Sequence, residues 1–264
     1  MTAAPWYRRA PAESVVTVSR WSLVVASTLT LLETGLAFAS ILGGAGVAVP
    51  RWEGYEVNAT LAIATLAVWA AGTGALAIPV LLPRWGWLCP VGAIAAALLD
   101  RQTLAGEIIY LVVVMSTVHW WSAALAGRES TAAVWAAPLR VAQVTISLVF
   151  AWATYAKLNS RFMSGAVLSV SFVGPVPAPG FVSDRRVLVL LALITVVAEG
   201  FLAVGFWMRG LRRLAVIAAV LFHIFIVLFF TPTLALFAFS FVMGTGYVLF
   251  AGEPWRTGRE TRAA

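Results

Sequence analysis

Lys157 stands near the end of a long apolar run, in YAKLNSRFMSG, and is the single lysine among 18 basic residues; all the others are arginine. The two side chains differ in chemistry. A guanidinium keeps its proton under all working conditions, whereas a lysine amine loses its proton readily when water is withdrawn and then acts as a base near neutral pH. Anchoring a helix end by reaching for the membrane surface is work that arginine does as well, and arginine is what this chain uses elsewhere. The choice of lysine at position 157 points to proton transfer.

Other groups able to exchange protons also lie within apolar runs: Glu33, Glu107, His119, Glu199 and His223, with Arg140 as a further charge. An ionised side chain at the middle of a bilayer costs about 2.5 to 3.5 kcal/mol on insertion scales, so such residues are candidates for function. His223 sits in the middle of VLFHIFIVLFF, far from any interface, and Glu199, in VVAEGFLAVGF, has no cation in its own run. Glu33 or Glu107 could instead neutralise Lys157 or Arg140 in a buried pair. His119 and Trp120, in VHWWS, also suit an interfacial aromatic belt, and Arg140 can snorkel. The partner of Lys157 is thus open among Glu33, Glu107, Glu199 and His223.

A substrate-binding set is expected around these groups. It comprises Tyr155 and Asn159 beside the lysine, His119 and Trp120, and Arg161, Arg185 and Arg186, whose guanidinium groups could hold a diphosphate without metal. No metal motif is present in the sequence: the aspartates are Asp100 and Asp184, and the acidic residues of the apolar runs are far apart, whereas a hard cation needs clustered carboxylates. Cys89, in WGWLCPVGA, is the sole cysteine, which excludes an internal disulfide or a CxxC pair. It reads as a small buried residue.

The elements that must position these side chains follow from composition. Hydrophobic residues make up 61% of the 264 and charged residues 11%, with a mean hydropathy of +0.93; soluble chains carry roughly 25% charged residues. This is the composition of an integral membrane protein. Windows of about 20 apolar residues bounded by charge, Pro or Gly predict eight spans. They fall near 17–44, 58–82, 85–99, 104–126, 133–157, 187–207, 213–231 and 233–251, or seven if the short third one merges or is re-entrant. The expected fold is an all-α, polytopic transmembrane helical bundle over 17–251, with tails at 1–16 and 252–264 and no separate soluble domain. LAFAS resembles a signal-cleavage site, but the run around it is long and carries Glu33, so a retained helix is expected.

With the N-terminus inside, Arg8, Arg9, Arg20, Arg84, Arg128, Arg209, Arg212, Arg213, Arg256, Arg259 and Arg262 lie on the cytoplasmic side, against Arg51, Arg101, Arg161, Arg185 and Arg186 outside. The positive-inside rule then places both termini in the cytoplasm of a multi-pass cell-membrane protein. It also places Lys157 at the outer membrane boundary, beside the long connection 158–186. The net charge of +7 is accounted for by arginines at the ends of spans and by anionic head groups, not by nucleic acid. Membrane lipids and a lipophilic small molecule are the expected partners, with no protein partner evident.

YAKLNSRFMSG, then a span with Glu199, then LFHIFIVLFFTPTLALFAFSFVM, resembles the vitamin K-dependent gamma-carboxylase family and its bacterial relatives, the HTTM domain proteins. VHWWSAALAG is similar to the aromatic-serine segment that precedes the lysine span in that family, while the family's Asn-His pair stands here as Asp100, Arg101 and Gln102. The resemblance covers roughly residues 15–251. It implies that Lys157 is the base that starts oxygenation of a reduced quinone, and that His223 hydrogen-bonds or transfers protons in the same cavity. The carboxylase carries a large soluble domain for its peptide substrate, whereas this chain ends soon after its last span, so carboxylation of a protein is not expected.

Two enzymatic readings follow. One is acid/base chemistry on a quinol or isoprenoid, with Lys157 and one of Glu33, Glu107, Glu199 or His223 exchanging protons. The other is cyclisation of a prenyl chain, started by a protonated Glu or without metal, in a cavity whose aromatic faces stabilise a carbocation. A non-enzymatic alternative is a quinone-binding accessory subunit similar to DoxX-type proteins. A transporter is least favoured, since no inverted repeat or matched pair of broken helices is visible.

Overall fold

The computed structural model describes residues 12–44, 58–99, 106–126, 131–208, 210–230 and 233–251. Among them the α-helices are α1 (Glu13–Leu42), α2 (Ala59–Ala77), α3 (Leu82–Trp85), α4 (Leu88–Leu99), α5 (Gly106–Leu125), α6 (Thr131–Lys157), α7 (Ser160–Met163), α8 (Ala166–Ser169), α9 (Arg185–Gly205), α10 (Arg212–Phe229) and α11 (Leu234–Ala251). Among the described residues eight helical segments are long and apolar enough to cross a membrane, with α3 and α4 together forming the third, Leu82–Leu99. The protein is a polytopic helical bundle, as the hydropathy of the sequence predicts. The expected tails at 1–16 and 252–264 lie largely outside the described residues.

Local chemistry sets several boundaries. The second span stops at Ala77 instead of 82 because Ile78 precedes Pro79 and is pushed to extended backbone, φ −104° and ψ 108°. Asn58 starts the same helix, its side chain accepting from Leu61 N at 2.8 Å. The third span is not a half-span: it breaks near Gly86, where the Trp87 indole donates to Arg84 O at 3.0 Å, and then resumes.

Small residues bring the helices together. A Cβ on Gly72 would fall on the Cys89 backbone, and one on Gly92 on the backbone of Trp69, so α2 and α4 pack main chain against main chain. The contact is polar as well as close. The Trp69 indole donates to Ser27 Oγ at 2.9 Å, and Ser27 Oγ lies 2.7 Å from Thr73 Oγ1 and 3.5 Å from the buried Cys89 sulfur. On the other side of α1, Ser22 Oγ donates to Phe241 O of α11 at 2.7 Å.

The remaining helices form a ring in which α5 packs on α6, α6 on α9, α9 on α10, α10 on α11 and α11 on α5. One level of the ring is filled by a stack of rings: Tyr247 lies 5.7 Å from Phe206, Phe206 lies 4.6 Å from Phe250, and Phe150 lies 6.2 Å from Tyr247.

The segment 158–184 does not lie outside the spans. Glu199, which meets the end of α6, is fourteen residues into α9, about 21 Å from the Arg185 end at about 1.5 Å per residue. The chain after Lys157 therefore covers that distance beside α9, burying Phe162, Leu168 and Val182 against Leu188, Ala192 and Val196. Irregular backbone in an apolar layer must satisfy its own polar groups. Asn159 Oδ1 accepts from Phe162 N at 2.9 Å and its amide donates to Ala156 O at 2.7 Å, while Gly174 N and Val176 N donate to Phe229 O and Leu228 O at 2.9 and 3.0 Å.

Candidate functional site

Lys157 ends α6, and its side chain turns across to α9, where Nζ lies 2.8 Å from Glu199 Oε1. Glu199 is therefore the partner that the sequence leaves open among four. The carboxylate is buried, with 5% of the side chain exposed, whereas the lysine side chain is 27% exposed. The lysine's exposed part faces a cavity of about 620 Å³ bounded by α5, α6, α9, α10, α11 and the covering segment. Phe162 closes it from above α6, its ring 5.7 Å from the ammonium. Phe222, Phe225, Phe230 and Phe239 supply much of the opposite wall.

The pair leaves one carboxylate oxygen without a hydrogen bond among the described residues. Glu199 Oε2 is buried and meets no hydrogen-bond partner among the described residues, and an orphaned buried acceptor costs about 1 to 3 kcal/mol, more when it is charged. Glu199 is itself one of the side chains lining the cavity, so a ligand there comes within reach of its carboxylate.

His223 forms a second node, one aromatic layer behind the wall. Its ring lies 5.3 Å from Phe239 and 5.9 Å from Phe222, both of which line the cavity. Ser240 Oγ donates to Leu236 O at 2.9 Å, so its oxygen accepts from His223 Nδ1, 3.2 Å away. A neutral imidazole with its proton on Nδ1 accepts at Nε2, where the Tyr247 hydroxyl lies at 2.8 Å. The chain of bonds thus runs Tyr247 to His223 to Ser240 to Leu236. It fixes the ring.

The other candidates are placed elsewhere. His119 is buried 3.0 Å from Ser19 Oγ, which also donates to Thr245 O, and its ring packs edge-on against Trp135; it is part of the α1–α5–α11 contact and does not line the cavity. Trp120 follows it, with an indole nitrogen that meets no partner among the described residues. Glu33 is half-buried on α1, a helix that packs on α2, α5 and α11. Glu107 opens α5, its side chain outside the described residues. Asn159 spends both ends of its amide on capping. Tyr155 is exposed and packs on Trp152 at 5.6 Å. Arg161, Arg185 and Arg186 are exposed and are not among the side chains lining the cavity. Arg140 stands over Trp207, 5.5 Å from its ring.

Sequence reasoning passed over Tyr247 and Ser240. The available signal was a tyrosine in the middle of an apolar run, in MGTGYVLF, a position as unusual as that of His223. Among the described residues no group of three or more His, Cys, Asp or Glu side chains is placed to hold a metal ion.

No family model, curated protein or solved structure matches this chain.

Proposed function

We propose that this chain is an integral-membrane enzyme that exchanges protons with a hydroxyl-bearing lipophilic substrate, with Lys157 as the base and Glu199 as its proton partner. The observation that carries the reading is the Lys157–Glu199 pair at the wall of an aromatic, lipid-sized cavity, with Glu199 Oε2 unpaired among the described residues. An ammonium donates and a carboxylate accepts. A single hydroxyl oxygen satisfies both, accepting from Nζ and donating to Oε2.

Proton transfer from Nζ to Glu199 yields an amine and a carboxylic acid without changing net charge, which suits a low-dielectric site. The amine then takes the hydroxyl proton, and the resulting oxyanion is held by the ammonium. A diphosphate head is less suited, since it brings negative charge to the buried carboxylate. The resemblance to the carboxylase family supports a reduced quinone as the hydroxyl-bearing ligand, with His223 and Tyr247 holding the cavity's rear wall.

The ring faces of Phe222, Phe225, Phe230 and Phe239 favour a second reading, cyclisation of a prenyl chain through a carbocation. The two readings differ in product. Expression in a host supplied with menaquinol or prenyl diphosphates, followed by untargeted analysis of lipid extracts, separates them: protonation-initiated cyclisation gives an isomer of unchanged mass, cyclisation by loss of diphosphate gives a product lighter by that group, and oxygenation of the quinol by dioxygen gives a heavier product. Extracts identical to those of the empty host would overturn both.

For localisation, an even number of spans puts both termini on one face, and the arginine bias supports the cytoplasm of a cell-membrane protein. The partners are then membrane lipids and the small lipophilic substrate.

A further inference from the structure

The wall of the Lys157 cavity is unevenly covered. Phe150, Phe162, Leu168 and Glu199 are buried, yet Tyr110 of α5 and Leu148 and Trp152 of α6, which line the same cavity, are exposed at 52%, 62% and 63%. Leu148, Trp152 and the exposed Ala156 follow one another at four-residue spacing, so they form one row along α6. Tyr110 faces them from the neighbouring helix. These residues lie in segments apolar enough to cross a membrane, so their outer surfaces meet acyl chains.

We propose that the cavity opens sideways into the bilayer on the α5–α6 flank, and that its ligand is a single-chain lipid lying head-inward. The oxygen head sits between Lys157 and Glu199, and the chain runs out past Tyr110, Leu148 and Trp152. Three features select this occupant. The ammonium and the unpaired Glu199 Oε2 give the inner end its polarity. About 620 Å³ is the size of a site for a drug-sized molecule, enough for a head and the first part of one chain. The mouth itself is apolar, which suits a chain and not a hydrated solute. The inference rests on the head site described under Proposed function, but it concerns route and orientation, so its test reads labelling and not turnover.

The full-length chain in phosphatidylcholine nanodiscs is illuminated with either of two long-chain alcohols, one carrying a diazirine beside the hydroxyl and one at the far end of the chain. The head probe is expected to label around Phe162, Glu199 and Phe222, and the tail probe around Tyr110, Leu148 and Trp152. Unlabelled alcohol at about ten times its Kd should remove roughly nine-tenths of either label by mass action. Leu148→Cys, capped with a bulky maleimide, should lose head labelling relative to the uncapped variant; the sole native cysteine, Cys89, is buried. Equal head labelling in the capped and uncapped variants overturns the sideways route while leaving the head site standing. Tail label spread over all lipid-facing helices without competition overturns the orientation. No competed label from either probe overturns the head site itself.

Discussion

Lys157 Nζ lies 2.8 Å from Glu199 Oε1 across 42 residues of sequence, joining the end of α6 to the interior of α9. Such a pair is costly to form in an apolar layer and costlier to break singly. Glu199→Leu, which leaves an unpaired ammonium, is expected to destabilise the fold by about 3 kcal/mol, the low end of the usual range because Lys157 still reaches the cavity. Lys157→Met with Glu199→Leu should recover most of that loss without recovering activity. Unfolding of the three proteins in detergent checks this; a double variant as unstable as the single one would contradict it.

His223 is expected to carry its proton on Nδ1, because in that form the Tyr247 hydroxyl, the imidazole and the Ser240 hydroxyl each donate once along the chain to Leu236 O. Nitrogen NMR of the labelled ring reads the tautomer directly, and a proton found on Nε2 would refute the assigned direction of the chain. Tyr247→Phe removes the hydroxyl that faces Nε2 and should cost about 1 to 3 kcal/mol.

At the α2–α4 contact, Gly72→Ala drives a methyl into the Cys89 backbone, whereas a methyl on Gly74, two residues away, meets nothing within 4 Å. Gly72→Ala should yield little detergent-stable protein, and Gly74→Ala should match the native yield. Equal yields would mean that the two helices do not pack main chain to main chain.

The covering segment carries a similar test. Gly165 has φ +78°, and a Cβ there would lie 2.6 Å from Leu188 Cβ. Gly165→Ala should cost at least about 1 to 2 kcal/mol from the left-handed backbone alone. Gly180→Ala, with open space around it, should stay within about 0.5 kcal/mol of the native protein. Thermal unfolding of the two variants compares them.

Much of the bundle is legible in the chain because a bilayer leaves little choice: apolar runs of span length must be helical. Span ends were less legible, since Ile78 yields to Pro79 and the third span bends and continues past Gly86. The end of the apolar run at Lys157 reads as the end of the layer, yet the following segment, with Phe162 and Leu168, continues beside the apolar face of α9 for about 21 Å before Arg185. The partner of Lys157 was legible as one of four. Choosing Glu199 needs the lateral packing of α6 on α9, which apolar helices with no polar face do not encode as a stripe. Arg161, Arg185 and Arg186 looked like an anion site on sequence proximity alone, yet they stand away from the cavity.

The central claim is that Lys157 acts as a base, and the most direct measurement compares lipid extracts from cells expressing the native chain and Lys157→Arg. Arginine keeps the charge opposite Glu199 but cannot give up its proton at working pH. The account predicts native expression and a native unfolding midpoint with the product lost. Equal product from the arginine variant would contradict it and leave Lys157 as a structural cation.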